Sequence, residues 1–178
     1  IFKIYFPGRM IILPELATVL VRKHKLNILK HRTELSELLR EAVPARAAKV
    51  RRLLAERDDT LLFEESHMGV HLAYCHEVND RHFLDIYEAH IRPHVVRPDL
   101  FLRFDMPVPL SVQRQQARLT PDLEVSGDLV ERAFGRIDRW HAEMGHDNIH
   151  VVNTDRSPDQ VIAEVLKLIG VRYTPFEG

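Results

Sequence analysis

"FKIYFPGRMIILPE" (residues 2–15) decides how this chain is read: a β-rich run, a Pro-Gly break, a second β-rich run and a carboxylate. Taken locally, Pro7 and Gly8 make a type II turn, with Pro presetting φ at the first central position and Gly accepting positive φ at the second. The two runs then pair as an antiparallel hairpin. Taken with the rest of the chain, the runs are strands of a parallel sheet. "PGR" is far too short for a parallel crossover, which needs about a dozen residues and usually a helix, so a segment is missing from that part of the sheet. Residue 1 is Ile, and nothing near it resembles a signal peptide, so the expectation is a chain that starts after a cleaved or truncated segment.

The parallel reading comes from the alternation of two periods downstream. β-rich runs at 1–6, 10–13, "TLLFEE" (60–65), "DLFLRFDM" (99–106) and "NIHVVNT" (148–154) make five strand candidates. Between them, residues 15–25, 33–42, 45–58, 69–78, 81–95, 109–118 and 127–144 carry apolar residues at helical spacing. Pro44 is expected to break or kink the second of these. The last helix has the fullest signature, with Ser157 as cap, Pro158 in the first turn, "DQVIAEVLKLI" as the apolar stripe and Gly170 as the stop. Strands alternating with helices predict an α/β fold of three layers, α/β/α, around a mainly parallel sheet of about five strands. The strands "TLLF", "LFLRF" and "IHVV" are apolar over most of their length, as burial on both faces requires. Their polar ends, "EES", "DMP" and "NTDRS", are expected to converge on one crevice beyond the carboxyl edge of the sheet.

Composition sets the outer limits. A chain of 178 residues, 45% hydrophobic and 29% charged, suits one domain with a real core, here residues 1–178. A net charge of -1 gives no global field for nucleic acid or anionic membrane. No apolar run reaches the roughly 18 residues that a membrane span needs. The single cysteine, Cys75, rules out an internal disulfide framework and favours a reducing, cytoplasmic setting.

Residues 96–118, "VRPDLFLRFDMPVPLSVQRQQAR", followed by a long helix and "HVVNTDRSPDQVIAEVLKLIG" (150–170), resemble the second half of the P-loop deoxynucleoside and thymidylate kinases. "LLFEESHMGVHLAYCHE" (61–77) is similar to the middle segment of that family, and the resemblance runs from about "MIILPE" to "KLIG". It implies a P-loop nucleoside triphosphate hydrolase-like fold with a lid at about 112–130. It also implies ATP and Mg2+ as cofactors and transfer of the γ-phosphate to a small acceptor, a nucleoside or nucleotide. Two departures stand out. None of the seven glycines begins Gly-x-x-x-x-Gly-Lys-Ser/Thr, the loop whose backbone N–H groups cradle phosphates. Gly8 is then the candidate stump of that cofactor-binding loop. Where the family has an acidic residue followed by Arg, this chain has Glu64 followed by Glu65, which repel a substrate phosphate and favour a neutral nucleoside.

The resemblance also distributes roles. Glu15 becomes the catalytic base or orienting carboxylate, with a first-turn helix residue favoured by the dipole as its plain alternative. Arg114 and Arg118, four apart on one helix face, become the catalytic lid pair on ATP phosphates. Glu64, Glu65, Tyr74 and Phe63 become the substrate-binding set, with the two aromatics otherwise read as core. Arg132 and Arg136 repeat the four-residue spacing as cofactor-binding candidates, and Asp105 orients neighbouring backbone. His67 and His71 are also four apart but lack the His-Glu-x-x-His order, so no metal site is assigned. Expected partners are ATP and a small-molecule acceptor, with a homodimer left open and neither nucleic acid nor membrane involved. Two further functions remain: a related P-loop NTPase or kinase acting on another small molecule, and a degenerate, noncatalytic nucleotide-binding protein.

Overall fold

The computed structural model describes residues 9–28, 30–56, 60–117 and 126–170. Strand β1 (Arg9–Leu13) leads into α1 (Leu16–His24) and the long α2 (Arg32–Glu56), followed by β2 (Thr60–Glu64). Helix α3 (Met68–Glu77) and α4 (Arg81–Ile86) come next, α4 running into a π-helical turn (Tyr87–Ile91) and a 3-10 turn (Arg92–His94). Strand β3 (Phe101–Asp105), α5 (Val108–Gln116), α6 (Gly127–Glu143), β4 (Ile149–Asn153) and α7 (Pro158–Leu168) complete the order. Among the described residues no helix is long and apolar enough to cross a membrane.

The chain is mixed α/β with parallel strands, as the alternation implied. The single sheet of about five strands needs correcting, because the described strands form two parallel pairs. β1 lies on β2 with Met10 opposite Leu61 and Leu13 opposite Glu64; β3 lies on β4 with Phe101 opposite Ile149 and Asp105 opposite Asn153. The fifth candidate, residues 1–6, and the Pro7-Gly8 turn lie outside the described residues. Side chains alternate faces along a strand, which fixes the layers around β3 and β4. Phe101 and Arg103 face α6, where Phe101 meets Trp140 edge to face and Arg103 pairs with Asp138. The opposite face meets α7 through the pair of His150 with Glu164, so this half is three-layered. In the other half α2 covers the face that carries Leu13 and Glu64, and Ile12 on the reverse face is 59% exposed.

Capping explains where several helices start. Ser157 and Gln160 form a reciprocal capping box at α7, with Pro158 in its first turn and Gly170 at φ +73° beyond its end. Ser126 accepts from the Leu129 N–H at α6, and Asp80 accepts from the Phe83 N–H at α4. The expectation of a break at Pro44 is corrected: α2 runs from Arg32 to Glu56 with Pro44 inside it. Pro44 removes one helical hydrogen bond, but Leu35, Leu39, Val43, Ala47, Val50 and Leu53 form one buried stripe across it. Burial of that stripe, at roughly 25 cal/mol per Å² of apolar surface, outweighs the local loss.

The main core gathers α2, α3, the α4 turn, β3 and α6, with Leu39, Phe83 and Ile91 fully enclosed. Trp140 of α6 is its organising ring, 5% exposed, donating its indole N–H to the Tyr87 hydroxyl at 2.7 Å. Helix α3 comes this close to Trp140 because residue 69 is glycine. A Cβ there would lie 2.3 Å from Trp140 Cε3 and 2.6 Å from Cζ3, inside any tolerable contact. Gly69→Ala should therefore cost about 2 kcal/mol through overpacking, seen as a fall of roughly 4–8 °C in Tm. The same change at Gly135, where a Cβ meets nothing within 4 Å, should leave Tm level or raise it.

Candidate functional site

The carboxyl ends of β1 and β2 carry the first group of polar side chains. Beyond Leu13 the chain turns through Pro14 and Glu15 into α1, and the Glu15 carbonyl accepts from the Val19 N–H at 3.1 Å. Glu15 occupies the N-cap position of α1, yet its carboxylate makes no cap bond and instead accepts from the Thr18 hydroxyl at 2.6 Å. Tyr74 of α3 is 38% exposed and lies within the electrostatic reach of Glu15. Burial first, and the Glu15 charge second, push the Tyr74 hydroxyl above its usual pKa, so the phenol stays protonated and able to donate.

Glu64, the last residue of β2, is held by Arg46 of α2, Nη1 to Oε1 at 3.1 Å, and the same guanidinium donates through Nη2 to the Pro14 carbonyl at 2.5 Å. Arg46 thus joins the ends of both strands, with 15% of its side chain exposed. Glu65 is exposed, its N–H bonded to the Leu13 carbonyl at 2.8 Å, and Ser66 follows at φ +49°. That left-handed residue turns the chain toward α3. Phe63 pairs with Ile12 on the face away from Glu64, so the strand alternation separates it from the other members of its expected set.

His67 precedes α3 and packs its ring on Trp140 and Phe101, with centroids 5.1 and 5.2 Å away. Its Nε2 lies 3.3 Å from the Val96 carbonyl. A carbonyl only accepts, so Nε2 carries the proton and Nδ1 is left as a lone-pair acceptor. Burial lowers the pKa of this ring against the opposing pull of Glu64, which keeps it neutral. Arg46, Glu64 and His67 line a crevice of about 30 Å³, closed on its apolar side by Val43, Val50 and Val96.

A second group lies at the ends of β3 and β4. The Thr154 N–H and hydroxyl both donate to the Asp105 carbonyl, at 2.7 and 2.9 Å, and lock the two strand ends together. Arg114 of α5 is exposed and leans on this turn, with Nη1 3.5 Å from the Thr154 carbonyl. Arg156 donates to the Asn153 carbonyl at 2.8 Å and pairs with Glu164. Arg114, Thr154 and Arg156, with Pro158, Val161 and Ile162 of α7, border an open groove of about 530 Å³. Two cations, an apolar wall and a helix N-terminus suit an anionic ligand with a flat apolar part.

The other expected residues fall elsewhere. Arg118 and Gly8 lie outside the described residues, as does part of the expected lid. Arg132 and Arg136 both grip Glu77 of α3, at 2.6 and 3.2 Å, so their shared face clamps α6 to α3. Those bonds hold the Glu77 carboxyl below the usual carboxylate range. His71 packs edge to face on Phe83, and His141 shares a 3.0 Å Nδ1···Nδ1 hydrogen bond with His146. Among the described residues no cluster of three or more His, Cys, Asp or Glu is placed to hold a metal ion. Sequence reasoning missed Arg46 and His67 as site residues. Arg46 had a signal: it is a cation three residues after Val43 and four before Val50, on the rim of the buried stripe of α2.

No family model matches the sequence, and no curated protein matches it. A solved structure of deoxyadenosine kinase from M. mycoides with bound dCTP is similar in fold, with a TM-score of 0.50 and 9% identity. The match covers 91% of this chain and 98% of that one. At such identity the likeness establishes a relationship of fold.

The buried histidines predict acid lability. His71 and His141 are each lowered from 6.5 to about 4, by burial above all, so the unfolded chain takes up protons that the fold excludes. Their contribution is absent above about 6.5; stability then falls as pH drops from 6.5 toward 4 and levels off below. Denaturant midpoints measured from pH 8 to 4 should decline over that window, and His71→Phe should flatten part of the decline.

Proposed function

We propose that this chain belongs to an ATP-dependent kinase that transfers the γ-phosphate to a small acceptor, a nucleoside in preference to a nucleotide. The observation that carries the reading is the fold likeness to a nucleoside kinase over 91% of the chain, taken with polar groups at the carboxyl ends of the parallel strands, where an α/β fold binds ligands. Glu15 is the base or orienting carboxylate for the acceptor hydroxyl, and Tyr74, half-exposed and close to it, stacks or hydrogen-bonds with the acceptor. Glu64 and Glu65 make the acceptor end acidic, which disfavours a substrate phosphate. Arg114, and with it Arg118, serve the donor phosphates, and the groove between Thr154 and α7 takes the flat part of the donor.

The residues present fit ATP in part. The groove has the size and chemistry for a nucleotide, whereas the 178 residues contain no phosphate-cradling Gly-Lys-Ser/Thr loop. That loop must come from residues outside this sequence for transfer to occur. Mg2+ usually needs only one or two protein carboxylates beside the phosphates of the nucleotide, and Glu65, exposed and unengaged by Arg46, is the candidate here. The second reading is a noncatalytic nucleotide-binding protein on the same fold.

The product of the complete gene, given ATP, Mg2+ and a panel of nucleosides and their 5′-monophosphates, should release ADP in an acceptor-dependent manner. Glu15→Gln should lower that rate by about 100-fold or more, as loss of a general base does, with ATP binding unchanged. ATP binding without turnover for any acceptor would select the noncatalytic reading, and turnover with non-nucleoside acceptors alone would select a kinase for another small molecule.

A further inference from the structure

The corner between α1 and α2 concentrates charge that the rest of the fold does not use. No Asp or Glu occurs from Leu16 to Thr33, whereas Arg22, Lys23, Lys25, Lys30 and Arg32 gather in residues 22–32 of a chain whose net charge is -1. All but Arg32 are exposed, and among the described residues none of these five side chains forms an ion pair. Leu20 and Leu35 anchor the two helices in the core. The turn between them is tied by the Asn27 N–H, which donates to His31 Nδ1 at 2.8 Å, and by the Lys30 N–H, which donates to Asn27 Oδ1 at 3.0 Å.

Three of the cations stand against local preference. Lys25 closes α1 at φ +55°, in the left-handed region that favours Gly or Asn. Lys30 and Arg32 flank the N-terminus of α2, where the helix dipole favours acids. Only Arg22 and Lys23, in the last turn of α1, sit where the dipole rewards a cation. Apolar side chains stand among them. Val19, three and four residues before Arg22 and Lys23 on one face of α1, is 37% exposed, and Ile28 in the turn is 40% exposed. No aromatic residue occurs between Phe6 and Phe63. Single-stranded nucleic acid is held by aromatic stacking beside the basic contacts, and the phosphate backbone of a duplex offers exposed aliphatics no apolar layer. An anionic bilayer takes what is present, several cations for its headgroups and aliphatic side chains for its acyl boundary.

We propose that the α1–α2 corner is a peripheral docking surface for an anionic lipid bilayer, with Arg22, Lys23, Lys25 and Lys30 on the headgroups and Val19 and Ile28 at the acyl boundary. A net charge of -1, averaged over the chain, conceals this local field. Contact is interfacial and needs no spanning helix. The surface rests on charge and exposure alone and stands whether or not the kinase reading does.

The test is co-sedimentation of the full-length protein with vesicles of phosphatidylcholine alone and of phosphatidylcholine with about 30% phosphatidylserine, at salt from about 0.1 to 0.5 M. Wild type should bind the anionic vesicles about tenfold or more tightly than the neutral ones at the lower salt and lose most of that preference at the higher. Each Lys or Arg at an anionic surface contributes about fivefold, so Lys23→Gln, Lys25→Gln and Lys30→Gln combined should lose about 100-fold. Lys49→Gln, Arg51→Gln and Arg52→Gln combined, an equal charge change on an exposed part of α2 far from the corner, should lose less than about threefold. Ile28→Ser should weaken binding about fivefold at every salt concentration. Thermal melting shows that each variant is folded, and Lys23→Gln with Lys30→Gln, with an expected loss of about 25-fold, replaces the corner triple if that does not fold. An absence of preference for the anionic vesicles overturns the docking surface, as does equal loss in the two triple variants. Binding by Ile28→Ser equal to wild type overturns the apolar contact. A single-stranded oligonucleotide of about 20 bases, added at the phosphate concentration of the vesicles, should leave the protein bound; displacement overturns the bilayer as partner and gives the corner to nucleic acid.

Discussion

The indole ring of Trp140 sets the geometry on which the remainder depends. It fills the space that Gly69 leaves at the start of α3, takes the Tyr87 hydroxyl as its hydrogen-bond partner, packs on the His67 ring and meets Phe101 edge to face. Four parts of the chain that are distant in sequence therefore share one buried contact. Because α3 is seated by Gly69, His67 at its start is delivered to the crevice at the end of β2, and Tyr74, two turns on, comes within the electrostatic reach of Glu15. The Glu77 clamp by Arg132 and Arg136 secures the far end of the same helix. Those two arginines illustrate how a spacing suited to phosphate binding is equally suited to gripping one carboxylate between helices.

The legible part of the fold was the part written in periodicity. Four of five strand candidates and the helical stripes recur in the structure within a residue or two, and Ser157, Pro158 and Gly170 terminate α7 in the way their chemistry dictates. Pro44 misled because a local rule, the lost N–H of proline, was set against a buried stripe that reaches nine residues to either side. Strand pairing was less legible than strand existence. Apolar runs announce burial, but nothing in "TLLF" or "LFLRF" says whether the two lie side by side, since that depends on what occupies the space between them.

At the site, sequence placed residues by role and the structure sorts them by contact. Glu15 and Tyr74 are brought together from elements nearly sixty residues apart, which only a resemblance could suggest. Phe63 goes to the other face for the simplest reason, the period of two along a strand. Arg46 and His67 escaped attention because their meaning is three-dimensional. Arg46 reads as one more helix-surface cation, and His67 as one of eleven histidines, until the fold brings both to the ends of β1 and β2.

The Glu64-Glu65 pair then takes on a different sense. Two adjacent carboxylates at a strand end repel each other and any anion that approaches, so a site built there must import positive charge. The import comes from α2, where burial of Val43, Ala47 and Val50 fixes the helix and Arg46 reaches Glu64 and the Pro14 carbonyl at the strand ends. A guanidinium carried by a helix is a rotamer-bound fork anchored at two points, one carboxylate and one carbonyl, and so is more restricted than the same group on a strand-end loop. A fork engaged on two sides has its charge largely compensated, so this guanidinium ties the two strand ends together. Glu64 at the strand end and Arg46 on α2, 3.1 Å apart, are two halves of one arrangement, in which a helix supplies the charge that the strand end lacks.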